Sequence, residues 1–599
     1  MKTIVTGVLI MLFNSYLLAQ TGPGGVGSGA TTLEVWFDGK DVNGNGTNPA
    51  TSATVSTWTD KSGNSRNVTQ NIANVATYSA AGGVTFNNTG YLLGSDAGLP
   101  SGGAARTVLL VASSPSSSTD DNIFFYGKVG TPAVNNQSYG INRVGTSGNI
   151  RNYFYNNDLN DAGGWTPANQ TKIINTWYQS NSQKIYLNGN VDVTAASTPN
   201  TVLGDGLQIG GWSYYTAYSQ ATINEVILYS SALNPAELNI VNNYLSEKYS
   251  VTLASTDYYS GHSGSYINGV QGIGTTDGTA ANSHLVSANS GGLEIQSTNG
   301  STGLNSANEY IFTGYAGTTN SVSTSNLATV PTVMQRWSRI WYLKKTGTAN
   351  VTLSFNFSTD GIGGTPASTH YVLLYSASDS PLAFSILSSS SSVSGSTVSF
   401  SIANASLLNG YYTIGTTDPT NSPLPVSLIN FKAQQKSDKV MVDWQTAYES
   451  NNAYFTVQRS TDLTEWEDIA KVTGAGNSSS IHSYSIEDNC LCNGITYYRL
   501  KQTDFDGAST FSASVSVFSE SDITIFPNPS SGEITVAGLK ENVKMEVFNS
   551  IGLALSIPVA EQNDKIKMDF SALPSGIYFI SFENNDGTVF RKKIIIFGN

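Results

Sequence analysis

Cysteine is nearly absent from this chain of 599 residues, which has only Cys490 and Cys492. They stand one residue apart, and a ring that small braces little, so the domains must rest on hydrophobic cores. A local disulfide or two quiet thiols fit the pair. A metal site would need partners, and His482 is the one histidine nearby. Histidine is scarce as well: His262, His284, His370 and His482 are scattered, with no spacing for a metal or a nucleophile's base. Charged residues make up 12% of the chain, and the formal net charge is -13. That excludes a nucleic-acid partner, because nothing here would release counterions from phosphates. No Gly-rich phosphate loop precedes a helix. Beyond the first twenty residues, no apolar run is long enough for a membrane span.

Glycine (58) and aromatic residues (11%) are plentiful, as are Ser, Thr and Asn. Many short strands joined by Gly/Asn/Ser turns give this balance, so the fold class is all-β, with about three to five domains for this length. Residues 1–20 read as a signal peptide: Lys2 supplies the basic start, Ile4 to Phe13 the apolar run, and cleavage is expected near Ala19–Gln20. An uncleaved anchor competes with this reading, but the apolar stretch falls short of the ~20 residues a span requires.

A Gly-rich lead, Thr21 to Gly29, precedes a first domain over residues 31–253. Strands are expected at Leu33 to Asp38, Thr107 to Ala112, Lys184 to Leu187 and Ile223 to Tyr229. One short helix caps this domain. Asn234 is a good N-cap, Pro235 suits the first turn, and Glu237 can reach back to the cap. Leu238, Val241 and Leu245 give it one apolar face. Residues 255–418 alternate as a second β-sandwich, with Trp337 and Trp341 expected in its core. A Pro-containing break follows, then strand-like residues 424–518 and 523–599.

Family resemblances sharpen this outline. Pro527-Asn528-Pro529 with Gly532, then Val547 to Gly552, Leu573 to Tyr578 and Lys593, resemble the type A sorting domain of the type IX secretion system. The resemblance implies export through that machinery to the medium or the outer cell surface. Pro425 to Leu428, Val442-Asp443-Trp444, Phe455 to Ser460 and Tyr497 to Leu500 resemble a fibronectin type III-like spacer. Val35 to Asp38, Trp58 to Asn64 and Ile223 to Tyr229 resemble the laminin G-like, concanavalin A-like jelly roll. The whole then reads as a multidomain chain of jelly roll and β-sandwich domains. That fold hosts lectins, adhesion modules and glycosidases, so it does not select among them.

Two stretches could carry binding chemistry. Asp38, Asp41, Asn43 and Asn45 offer oxygens at the spacing of a calcium loop, with Gly46 for the turn, but Ser52 stands where an EF-hand has its bidentate Glu. Weak calcium binding and an Asn/Gly turn held by its own side chains are both open. Trp212, Tyr214, Tyr215 and Tyr218 fall where a jelly roll has a loop. Their rings would stack on sugar faces or pack between strands. Catalysis is the minority reading, and no catalytic residue is assigned. Glycosidases need two placed carboxylates, and the Glu-x-Asp-x-x-Glu pattern of jelly-roll glycosidases does not occur. Glu225 sits on a good strand without a neighbouring acidic partner. The leading expectation is a surface protein that binds glycans or other extracellular ligands. A purely structural surface protein stands second, and a polysaccharide-acting glycoside hydrolase third.

Overall fold

The computed structural model describes residues 22–27, 33–115, 119–128, 134, 137–162, 164–165, 167–215, 217–259, 265–287, 291–316, 322–357, 368–394, 397–418, 424, 428–436, 439–446, 449–478, 482–489, 494–504, 509–512, 514–519, 524–537, 544–550, 552–562, 565–583 and 589–597. Cys490 and Cys492 lie outside them, as does His262. The chain divides into two compact units, Met1–Ser427 and Leu428–Asn599. It is an all-β, multidomain, sandwich-like protein.

The first unit opens with a sandwich of two eight-stranded sheets, antiparallel throughout. Sheet 1 centres on Arg106–Ser113 and Thr222–Tyr229, and Leu33–Asp38 pairs with the latter. Sheet 2 runs from Leu159–Asn160 through Asn149–Tyr153, Tyr139–Val144, Asp121–Tyr126, Leu207–Ile209 and Leu92–Gly94 to Val68–Gln70 and Thr57–Trp58. Phe37, Trp58, Leu110, Phe124, Ile174 and Val226 are among the side chains that fill the space between them. The run Val108-Leu109-Leu110-Val111-Ala112 is apolar without alternation because this strand is covered on both faces. Val108, Leu110 and Ala112 enter the core between the sheets. Leu109 and Val111 enter a second core beneath the helix.

That helix spans Pro235–Tyr249, and Asn234 caps it by accepting from Ala236 N and Glu237 N while Glu237 returns a bond to Asn234 N. It does more than cover one sheet. Besides Leu238, Val241 and Leu245, the helix buries Ile240, Asn242, Asn243 and Tyr244. The reason is a second partner: Val270, Tyr310 and Phe312 of the following sandwich share its core. The two asparagines are buried because each is bonded. Asn175 donates to Asn242 at 2.9 Å, and Asn243 Oδ1 accepts from the backbone of Tyr258 and Tyr259. A single apolar stripe therefore understated the buried surface of this helix.

The second sandwich of this unit faces a nine-stranded sheet with a four-stranded one. Trp337 and Trp341 lie fully buried between them, 5.8 Å apart, with Phe355 and Phe400. In Leu428–Asn599, two sheets pack around Trp444, Phe455 and Tyr498. Two four-stranded sheets pack around Ile534, Phe570, Ile580 and Ile594. The Pro-Asn-Pro motif acts as a fastener: Asn528 donates to Lys593 O at 2.8 Å and accepts from Ile595 N at 2.9 Å. Tyr578 likewise donates to Pro574 O at 2.7 Å.

Replacing Asn234 by Ala removes both cap bonds and should cost about 1 kcal/mol. Chemical denaturation of the full chain should show that loss in the transition that reports the first unit.

Candidate functional site

The acidic loop at the end of Leu33–Asp38 is closed by its own side chains. Asp41 Oδ1 accepts from Gly46 N at 2.8 Å. Asn45 Oδ1 accepts from Thr47 N at 3.1 Å and Thr47 Oγ1 at 2.6 Å, while the Asn43 amide donates to Thr47 Oγ1 at 3.1 Å. Asn48 ties the loop base by accepting from Val42 N and donating to Lys40 O. The two carboxylates are held by ammonium groups. Lys61 lies 2.9 Å from Asp38 and 2.8 Å from Asp41, and Lys248 lies 2.7 Å from Asp38. A calcium ion entering here would have to displace both lysines. Among the described residues, no group of three or more His, Cys, Asp or Glu could hold a metal.

Asp38 belongs instead to a larger charged cluster. Across the strand pair, its register partner is Glu225. Glu225 is fully buried, yet four donors meet it: Trp36 Nε1 at 2.8 Å, Tyr244 OH at 2.9 Å, Tyr249 OH at 2.7 Å and Lys248 Nζ at 2.6 Å. Lys248 comes from the last turn of the helix and bridges both carboxylates. Burial pushes the Glu225 carboxyl up, against the pull of Lys248. Burial also acts to raise Asp38, but Lys248 and Lys61 outweigh it and hold the carboxyl at about 2. Glu225 is sealed beneath aromatic rings and an ammonium group, so the pair is arranged to fasten the helix and not to reach a substrate. Sequence reasoning missed Lys61 and Lys248. The one available signal was Lys61 inside the Trp58 to Asn64 motif.

The aromatic stretch folds as a hairpin, Gly211–Trp212 with Ala217–Tyr218, joined through the turn Ser213–Tyr215. Gly210 starts it at φ 79°, where a side chain would also strike Phe86. The hairpin lies on the outer face of sheet 2. There, cross-strand register sets Tyr153, Gly140, Phe125, Gln208 and Leu93 in one row. Gly140 must lack a side chain because any Cβ would overlap the Phe125 ring. Trp212 stacks on Phe125 at 4.7 Å with 8° between planes, and meets Tyr153 edge-on at 5.0 Å.

Of the two fates open to these rings, stacking on a ligand or packing between strands, Trp212 takes the second. Trp212 is only 4% exposed and forms part of a small core, because Phe125 and Tyr153 supply faces for it to pack against. Tyr214 is 39% exposed, 5.8 Å from Trp212. Tyr218 is half-buried and stacks on Tyr91 at 6.3 Å. Tyr215 closes the turn, and its side chain lies outside the described residues. Two residues before Tyr153, and so on the same strand face, Arg151 reaches Asn160 at 3.0 Å and Asp120 at 3.2 Å. The face therefore combines an exposed ring with a fixed set of donors and acceptors.

Two outcomes follow for the charged cluster. Lys248→Met leaves two buried carboxylates short of their shared cation and should cost about 3 to 5 kcal/mol, read by denaturant unfolding. The second is a pH effect. The folded-state pKa of Asp38 is depressed, so its contribution is present above the unfolded carboxyl range and is lost as pH falls toward about 2. That contribution is about 2 kcal/mol. The melting temperature should therefore fall more steeply between about pH 4 and pH 2 in the native chain than in Asp38→Asn. Equal slopes would refute the assignment.

Residues 524–597 match the family model of the secretion system C-terminal sorting domain. No curated protein matches the chain. Among solved structures, domain 4 of an extracellular arabinanase from Geobacillus stearothermophilus, in complex with arabinotriose, is 19% identical. The match covers 35% of this chain and 98% of that one, with a TM-score of 0.28. The CBM40 of the Ruminococcus gnavus IT-sialidase, bound to α2,3-sialyllactose, is 12% identical over 22% of this chain and 80% of that one, with a TM-score of 0.20. A Trypanosoma rangeli sialidase in complex with 2,3-difluoro-KDN is 17% identical over 41% of this chain and 36% of its own, with a TM-score of 0.27. No helix among the described residues is long and apolar enough to cross a membrane. The sorting domain makes this a protein that is secreted or held at the outer cell surface.

Proposed function

We propose that this is an exported glycan-binding protein whose ligand lies on the outer face of sheet 2. The sorting domain would carry it out through the type IX secretion machinery. One observation supports the reading above the others: the exposed Tyr214 ring beside the packed Trp212, Phe125 and Tyr153 cluster. A sugar presents C–H faces to an aromatic ring and hydroxyls to nearby polar groups. Arg151, Asn160 and Asp120 supply such groups on the same face. Their mutual bonds hold them in place before a ligand arrives, which lowers the ordering cost of binding. Trp212 has a supporting role: it fixes the hairpin from which Tyr214 projects.

The test is binding of the full chain to a glycan array, followed by titration of the best ligand. Tyr214→Ala should weaken binding by about five- to tenfold, the loss expected for one stacking ring, with an unchanged melting temperature. Trp212→Ala should instead destabilise the fold by about 3 kcal/mol. Absence of any glycan ligand, or undiminished binding by Tyr214→Ala, would refute the proposal and favour a structural surface protein.

A further inference from the structure

A second place on the first unit has the features of a binding site, and no feature of the outer face of sheet 2 contributes to it. A cleft of about 340 Å³ opens where the Gly-rich turn at residues 23–25, the end of Leu33–Asp38, the helix and the start of Asn268–Thr275 meet. Its wall includes Trp36, Asp38, Lys40, Lys61, Lys248 and Asn268. That volume is in the range of small-ligand sites. Three ammonium groups face it, against one carboxylate.

The hydrogen-bond capacity of those ammonium groups is unequally used. Each lysine carries three N–H donors. Lys248 spends all of them, on Asp38, Glu225 and the Tyr244 hydroxyl. Lys61 spends two, on Asp38 and Asp41. Lys40 spends one, on the backbone carbonyl of Lys248, and pairs with no carboxylate among the described residues. Asp38, in turn, has both oxygens occupied, by Lys61 on one side and by Lys248 and Lys40 N on the other. The unspent donors in the cleft are thus cationic and belong to Lys40 and Lys61. Beside them stand the half-buried Trp36 ring, with Lys61 4.9 Å from its centroid, and the half-buried Asn268 amide.

We infer that this cleft binds the carboxylate of an acidic saccharide, a uronic acid unit. Lys40 and Lys61 would bind the anion, while Trp36 and Asn268 would meet the ring and its hydroxyls. Lys40 is the discriminating residue because it is exposed and holds none of the buried carboxylates. Lys61 and Lys248 keep their places in the fastening cluster whether or not a ligand is present. The site is independent of the sheet 2 reading.

The experiment titrates the full chain calorimetrically with tri-galacturonate, using its methyl ester as the uncharged control of the same shape. The acid should bind and the ester should not, and binding should weaken as salt is raised. Lys40→Glu should weaken binding by at least about tenfold, the loss expected for a charge-assisted bond, and Lys40→Arg should retain it. Lys40→Arg should keep the native melting temperature. Lys40→Glu gives up the bond to the Lys248 carbonyl beside Asp38, so its melting temperature should fall, and its binding is titrated below its own melting onset, where circular dichroism shows the native fold. Tyr214→Ala should bind tri-galacturonate as the native chain does, which separates failure of this site from failure of the other. Equal binding of acid and ester, no binding of either, or full binding by Lys40→Glu would overturn the inference.

Discussion

Glu225 is a carboxylate without solvent contact, placed on the face of sheet 1 that the helix covers. A lone buried charge of this kind would be prohibitive. It is tolerated because an indole, two phenols and an ammonium group converge on it, delivered by two separate parts of the chain. Trp36 arrives on the first strand, and Tyr244, Lys248 and Tyr249 arrive on the helix. Lys248 then extends the cluster to Asp38 and, through Asp38, to Lys61 and Asp41. The helix cannot shift along sheet 1 without breaking this set, whereas apolar packing alone would tolerate sliding. The cluster therefore sets the helix register, and the helix in turn positions Val270, Tyr310 and Phe312 of the second sandwich against it.

What could be read from sequence followed the range of the interactions involved. The helix was legible, since its cap, first-turn proline and returning glutamate lie within four residues. The burial of Trp337 and Trp341 was legible because large aromatic side chains are usually taken into a core. The sorting domain was legible from several short motifs, and Asn528 shows why one of them matters: it ties the start of that region to its last strand. In sequence Glu225 is an acid on a good strand without a neighbouring acidic partner. Its partners lie from 19 residues away, at Tyr244, to 189 residues away, at Trp36. No local pattern reports such a contact. The acidic loop has an oxygen spacing that leaves calcium and a self-bonded turn both open, and no local pattern reports that Lys61 and Lys248 meet its Asp38 and Asp41.

The aromatic hairpin presents a different ambiguity. Trp212 and Tyr214 are two residues apart, so any extended reading puts them on the same side. Their fates differ because Phe125 and Tyr153 offer packing surface to one ring and not to the other. That surface exists only because Gly140 leaves room over the strand between them. Tyr214 remains at the edge, supported by the buried indole. A ring held this way loses little freedom when a ligand stacks on it, which favours binding over what a mobile loop tyrosine would offer.

These arrangements divide the faces of the first sandwich between two tasks. The outer face of sheet 1 is used for assembly: Leu109, Val111, Ile227 and Tyr229 point into the helix core, and Glu225 anchors it. Among the described residues, the outer face of sheet 2 carries a short hairpin over its aromatic row, and Tyr214 and Leu93 stay exposed there. Continuous apolar strands mark the first face and mixed polar and aromatic side chains the second, as burial on two sides or on one requires. The Lys40 cleft lies at the rim of the assembly face, where the charged cluster meets solvent. There the cations that fasten the helix are close enough to the surface to act on a ligand. A charge network assembled for stability thus leaves donors unspent at its outer edge, and those donors give the cleft its preference for an anion.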